Sequence, residues 1–143
     1  MDITEVPFNK FVGIARPEGE PGYLLQLCDS TDYENHLGTV HASAQLALAE
    51  ATSGEHLMKQ FPELGQGVLA VVRRMEAKFR NPLKGKIMSR ARISKEEADK
   101  ITELLQTKVV VNHYRDRGAF FGKRESLTRQ SLRFLQKVQQ RAS

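Results

Sequence analysis

Residues 35–50, NHLGTVHASAQLALAE, decide the reading of this chain. From Val40 to Gln60 alanine and leucine dominate, and both are strong helix formers. Ala42, Ala44, Leu46, Ala47, Leu48, Ala49 and Ala51 leave almost no polar face, which is the pattern of a buried central helix. Two histidines and an asparagine crowd the start of that helix, and Gly38 frees the backbone just before it. One carboxylate, Glu50, interrupts the apolar run.

Outward from this segment, the chain alternates short extended runs and turns. Phe11–Arg16 reads as a first strand, broken by PEGEPG, and Tyr23–Cys28 as a second. DSTDYENHLG is a polar loop. After the helix, Phe61-Pro62 and Gly65-Gln66-Gly67 lead into a long alternating strand, Val68–Arg80. Asn81-Pro82 and Lys84-Gly85 turn the chain into a strand over Lys86–Ile93. Ser94 with Glu97 forms a capping box, which starts a helix running to about Gln106. Val109–Tyr114 and Ala119–Leu127 flank Arg115–Gly118 as a hairpin. The tail from Thr128 carries Leu132, Leu135 and Val138 at weakly helical spacing. One helix enclosed by antiparallel strands is an α+β layering. The expected organisation is one domain over residues 1–143, with its core at about 8–127 and an extension over 128–143.

Composition restricts the class. The chain has 143 residues, 40% hydrophobic and 27% charged, enough for one globular core. No apolar run approaches the ~18 residues of a membrane span. MDITEVPFNK lacks the basic-then-apolar order of a signal peptide, so a cytoplasmic address is expected. The single cysteine, Cys28, sits in an apolar stretch and reads as buried filler. The net charge of +5 is concentrated. Residues 73–92 hold eight bases against Glu76, and residues 115–141 hold eight against Asp116 and Glu125. Such patches suit a solvated surface, a phosphorylated small molecule, lipid or nucleic acid. No aromatic-interleaved basic motif supports nucleic acid, and no membrane partner is expected.

Several residues can carry chemistry. The amides at Ala42 and Ser43 sit at the positive end of the helix dipole, where an oxyanion binds well. His41 and Ser43 could equally serve as simple caps. Glu50, between Leu48, Ala49 and Ala51, would be partly desolvated and so fit for general-base or nucleophilic work. A surface position beside Gln45 and Ser53 is the plainer alternative. The Asn35 amide could polarise a carbonyl, or simply build the loop. His36, His56 and His113 lack metal-ligand spacing, so neither a metal nor another cofactor is expected.

The segment resembles the hotdog-fold acyl-CoA thioesterases of the phenylacetate-pathway and 4-hydroxybenzoyl type. Their signature is Asn or Gln, a Gly, His-Gly-Gly at the helix start, and Asp or Glu nine residues after the His. Here stand Asn35, Gly38, His41 and, at that distance, Glu50. PLKG (Pro82–Gly85) is similar to the family's turn after a long strand. His-Ala-Ser replaces His-Gly-Gly, and Gly54 stands where relatives place a hydroxyl. The resemblance implies an antiparallel sheet wrapped around a long central helix. It also implies hydrolysis of an acyl-CoA substrate by a homodimer or dimer of dimers. Asn35 would hold the thioester carbonyl, the Ala42 amide would form the oxyanion hole, and His41 would orient the thioester or the helix start. Glu50 would be nucleophile or general base. Lys84, Arg90 and Arg92 are candidates for the CoA phosphates. Ala42 and Glu50 stand ~12 Å apart along a helix, at ~1.5 Å per residue. If both act, the second comes from another subunit. A non-catalytic acyl-CoA-binding module is the alternative.

Overall fold

A computed structural model describes residues 2–65, 72 and 75–115, with side chains to residue 106. In chain order it contains α1 (Pro7–Val12), β1 (Ile14–Ala15), β2 (Leu25–Leu27), α2 (Ala42–Gln60), β3 (Ile87–Ser89) and α3 (Lys95–Arg115). Single 3-10 turns occupy Ile3–Glu5, Thr31–Tyr33 and Pro62–Gly65. The strands form one antiparallel sheet in the order β1-β2-β3, with Ile14 opposite Leu27 and Leu25 opposite Ser89. The architecture is α+β. Among the described residues the sheet lies against α2 without closing around it.

The period of a strand sets the layering. Leu25 and Leu27 point to one face of β2, Ile87 and Ser89 to the same face of β3, and all four are buried. They meet Ala47, Leu48 and Ala51 of α2, with Ile3, Ile14, Val40 and Leu83 closing the cluster. Leu48 is 0% exposed, so α2 is the centre of the core. Burying a leucine of this kind stabilises by about 1.5–3 kcal/mol. A second cluster joins the end of α2 to α3 through Leu57, Phe61 and Ile101.

Two polar ties cross between the layers. The Ser89 hydroxyl donates to the Leu25 carbonyl (3.0 Å) and meets the Thr52 hydroxyl, which also reaches the Leu48 carbonyl (2.6 Å). All these groups are buried, so each satisfied partner spares a desolvation cost. The second tie is ionic. Glu55, 4% exposed, pairs with Arg16 and with Lys59 (3.1 Å), and Arg16 also holds Asp2 (3.0 Å). The N-terminal segment is thereby fastened across α2.

Several expectations are corrected. Phe11 and Val12 belong to a helix, not a strand. Pro7 stands at its first turn, and Gly13 at φ +75° caps it in the left-handed region. Residues 75–80 are exposed and form no strand; 68–71 and 73–74 of the expected strand lie outside the described residues. The strand expected over Lys86–Ile93 shrinks to Ile87–Ser89. The Ser94 capping box is present, with the Glu97 amide donating to Ser94 Oγ at 3.2 Å and Ser94 Oγ donating to Glu97 at 2.8 Å. Its helix continues to Arg115, so Val109–Tyr114 is helical rather than a hairpin strand. The chain offers no glycine or proline between Ser94 and Gly118, and valine lowers helix propensity only slightly. The second hairpin strand and the tail lie outside the described residues. Cys28 is exposed, not buried. It follows Leu27 and so faces away from α2. Burial of α2 is also incomplete, because Ala42, Ser43 and Glu50 are exposed. No helix among the described residues is long and apolar enough to cross a membrane.

Candidate functional site

The loop before α2 is built by its own polar groups. Glu34 and Val40 form an isolated antiparallel bridge, and the Asn35 amide donates to the Thr39 carbonyl at 2.8 Å. Gly38, at φ +65°, donates back to the Asn35 carbonyl at 3.0 Å. A side chain there would be strained, which is why glycine suits this turn. The Asn35 Oδ1 accepts from the amides of Leu37 (2.9 Å) and Thr39 (3.3 Å), and its Nδ2 donates to Thr39 Oγ1 (2.9 Å). Asn35 therefore organises the loop that carries it.

This loop delivers the helix start. The His41 amide donates to the Tyr33 carbonyl (2.6 Å), and the Val40 amide to the Leu83 carbonyl (2.8 Å). The second bond ties the Pro82–Gly85 turn to the helix start. His41 is the N-cap, and its Nδ1 accepts from the Ser43 amide at 3.1 Å. That bond requires the ring to present Nδ1 without a proton. The amides of Ala44 and Gln45 both reach the His41 carbonyl (3.1 and 3.2 Å), and Gln45 Nε2 donates to the Val40 carbonyl (2.9 Å). The Ala42 N–H, by contrast, meets no acceptor among the described residues. Such a free amide at the first helical position carries the positive end of the α2 dipole.

A cleft of about 300 Å³ opens at this point. Its walls are Asn35, Thr39, Val40, Ala42 and Gln45 on one side and Phe79, Arg80, Asn81 and Pro82 on the other. Of the expected site residues, the structure brings Asn35 and Ala42 together here. His41 caps the helix beside the cleft without lining it. Glu50 lies two turns further along α2, exposed and away from the cleft. The desolvation expected for Glu50 is absent in the single chain, although Leu48, Ala49, Ala51 and Thr52 around it are buried.

The buried carboxylate on α2 is Glu55, which sequence reasoning missed. Burial alone would raise its pKa, but the hydrogen bonds and charges of Arg16 and Lys59 outweigh that and hold it below the usual carboxylate range. Glu55 does not line the cleft, and its partners give it a structural role. The i,i+4 spacing of Glu55 and Lys59 is legible in the sequence; the partner 39 residues away, Arg16, is not.

The bases expected to meet CoA phosphates lie elsewhere. Lys84 sits in the turn and is exposed, as is Arg92 beyond β3. Arg90 stacks over the Tyr23 ring, 5.9 Å from its centroid. Arg80, not singled out from the sequence, is the one charged residue among the described residues that line the cleft. Among the histidines, His36 is exposed and His113 has no described side chain. His56 is half-buried, and burial lowers its pKa. The described residues contain no cluster of side chains suited to a metal.

Neither the curated proteins nor the solved structures contain a match to this sequence. One family model does match, over residues 4–126, and so spans the loop, the cleft and all three described strands. The chain belongs to the family described as "Domain of unknown function (DUF4442)".

Proposed function

We propose that this chain is an acyl-CoA thioesterase: a single cytoplasmic hotdog domain that hydrolyses an acyl thioester to free acid and CoA and shares its active sites across a homodimer. The observation that carries the reading is that Ala42, whose N–H meets no acceptor among the described residues, lines the same cleft as Asn35. A donor fixed by a buried helix needs no reorganisation when charge develops on a carbonyl oxygen. The thioester carbonyl would lie against Ala42 and Asn35. Glu50 then takes a proton from water as the water oxygen bonds to the thioester carbon, or attacks that carbon itself to form a mixed anhydride that water later hydrolyses to the free acid and the Glu50 carboxylate. The oxyanion forms at the Ala42 amide, and its collapse breaks the C–S bond. The CoA thiolate leaves and takes the proton that Glu50 accepted, or one from solvent in the anhydride route.

Glu50 faces outward from an otherwise buried turn, which suits delivery into a partner's site rather than its own. The ~12 Å of helix between Ala42 and Glu50 points the same way, since one thioester carbon reaches only one of them. A second subunit would also cover Glu50 and supply the missing desolvation. Exposed Lys84 and Arg92 are free to meet CoA phosphates.

One observation favours the non-catalytic acyl-CoA-binding alternative. The Asn35 carboxamide is already bonded to Leu37 and Thr39 in its own loop. Thiol release separates the two readings. The wild-type protein should release CoA from an acyl-CoA, and Glu50→Gln should lower turnover by ~10²-fold or more while binding persists. Saturable binding with no thiol release would favour the binding module.

A further inference from the structure

We infer that Arg80 selects acyl groups that carry their own negative charge a few bonds beyond the thioester carbon, such as the acyl group of a short dicarboxylic acid. The inference rests on the placement of the thioester carbonyl at Ala42 and names the substrate class of that site. Arg80 lines the cleft, and among the described residues no carboxylate lines it with Arg80 and Arg80 forms no ion pair. The Arg80 side chain is exposed at this cleft, and a guanidinium offers a planar donor fork that fits a carboxylate.

Position decides which anion it meets. The cleft that Arg80 shares with Ala42 measures about 300 Å³, at the small end of ligand sites. A group within it stands next to the thioester carbonyl. The CoA phosphates are separated from that carbonyl by the full pantetheine arm, so they would lie outside the cleft. An anion reaching Arg80 therefore belongs to the acyl half of the substrate. Val40, Phe79 and Pro82 add apolar wall for the few methylenes between.

The test measures binding apart from turnover, using thioethers that cannot be hydrolysed: S-(3-carboxypropyl)-CoA and S-butyl-CoA, and the same two groups on pantetheine. Titration calorimetry on the full chain should give the carboxylated ligand ~10-fold or greater advantage over the neutral one, in both the CoA and pantetheine series, as a charge-assisted bond provides. Arg80→Gln should abolish that advantage and leave S-butyl-CoA affinity unchanged, which also shows that the variant folds. Arg80→Lys should retain part of it. Equal affinity of the wild type for charged and neutral ligands would overturn the inference while leaving the thioesterase reading standing. An Arg80→Gln loss confined to the CoA series, and equal for both groups, would assign Arg80 to phosphate and overturn it as well. Binding of none of the four would overturn the thioester reading itself.

Discussion

Ala42→Pro removes a single hydrogen-bond donor from the proposed site with little else disturbed. Proline lacks an N–H, and at the first helical position that N–H has no intrahelical partner to lose. The preceding residue must be extended, and His41 already is, at φ −59° and ψ 139°. The Ala42 side chain is exposed, so the ring displaces no core atom. Stability should therefore change by no more than about 1 kcal/mol, and in the stabilising direction if proline restricts the unfolded chain. Loss of one oxyanion donor lowers kcat by ~10²–10³-fold, equivalent to about 3–4 kcal/mol of transition-state stabilisation. Urea denaturation followed by a thiol-release assay measures both quantities on one preparation. Ala42→Gly keeps the amide and should retain turnover. A folded Ala42→Pro protein with wild-type kcat would refute the assignment of this amide to the oxyanion.

The ion pair beneath α2 should respond asymmetrically. Arg16→Met leaves the buried Glu55 with Lys59 alone and should cost ~3 kcal/mol, whereas Glu55→Gln leaves an exposed Lys59 and a half-exposed Arg16 that still holds Asp2 and should cost ~1–2 kcal/mol. Equal costs in urea would contradict this. Glu55 has its folded pKa held down, so its stabilisation is present above the usual carboxylate range and is lost as pH falls through the folded value. The wild type should then lose stability on acidification more steeply than Glu55→Gln, and parallel curves would count against the pairing. Ser89→Ala deprives the Leu25 carbonyl and the Thr52 hydroxyl of a buried partner and should cost ~1–3 kcal/mol by thermal or urea unfolding.

Much of the fold is written locally. The Ala/Leu run from Ala42, the Ser94–Glu97 box and Gly85 (φ +68°) each act through neighbours within a turn, so sequence spacing reveals them. The errors arise where longer-range geometry decides. Phe11 and Val12 favour a strand by type, but Pro7 and Gly13 define a short helix around them. Val109–Val111 favour a strand too, yet an established helix extends through them for want of a breaker. The placing of Asn35 in a loop and of His41 and Ala42 at the helix start was legible because the loop and the cap are local. Glu50 and Glu55 were not distinguished. The apolar residues beside Glu50 at one and two positions' distance face other directions on a helix, so they say little about its burial. Glu55 takes its burial and its ion pair from Arg16, which no spacing along α2 reveals. Arg80 lies beside the helix start because the Leu83–Val40 bond holds the following turn there, a contact across more than 40 residues that no local spacing reveals.

The central claim is a thioesterase site that takes its oxyanion donor from one subunit and its carboxylate from the other. Mixing unfolded Ala42→Pro and Glu50→Gln chains in equal amounts and refolding them together tests it most directly. Random pairing makes half the dimers mixed, and each mixed dimer holds one site with both lesions and one with neither. Thiol release should recover to roughly a quarter of the wild-type rate, far above either variant alone, where ~10²-fold losses are expected. Activity that stays at the average of the two variants would contradict a shared site, and full activity of Glu50→Gln alone would contradict the mechanism.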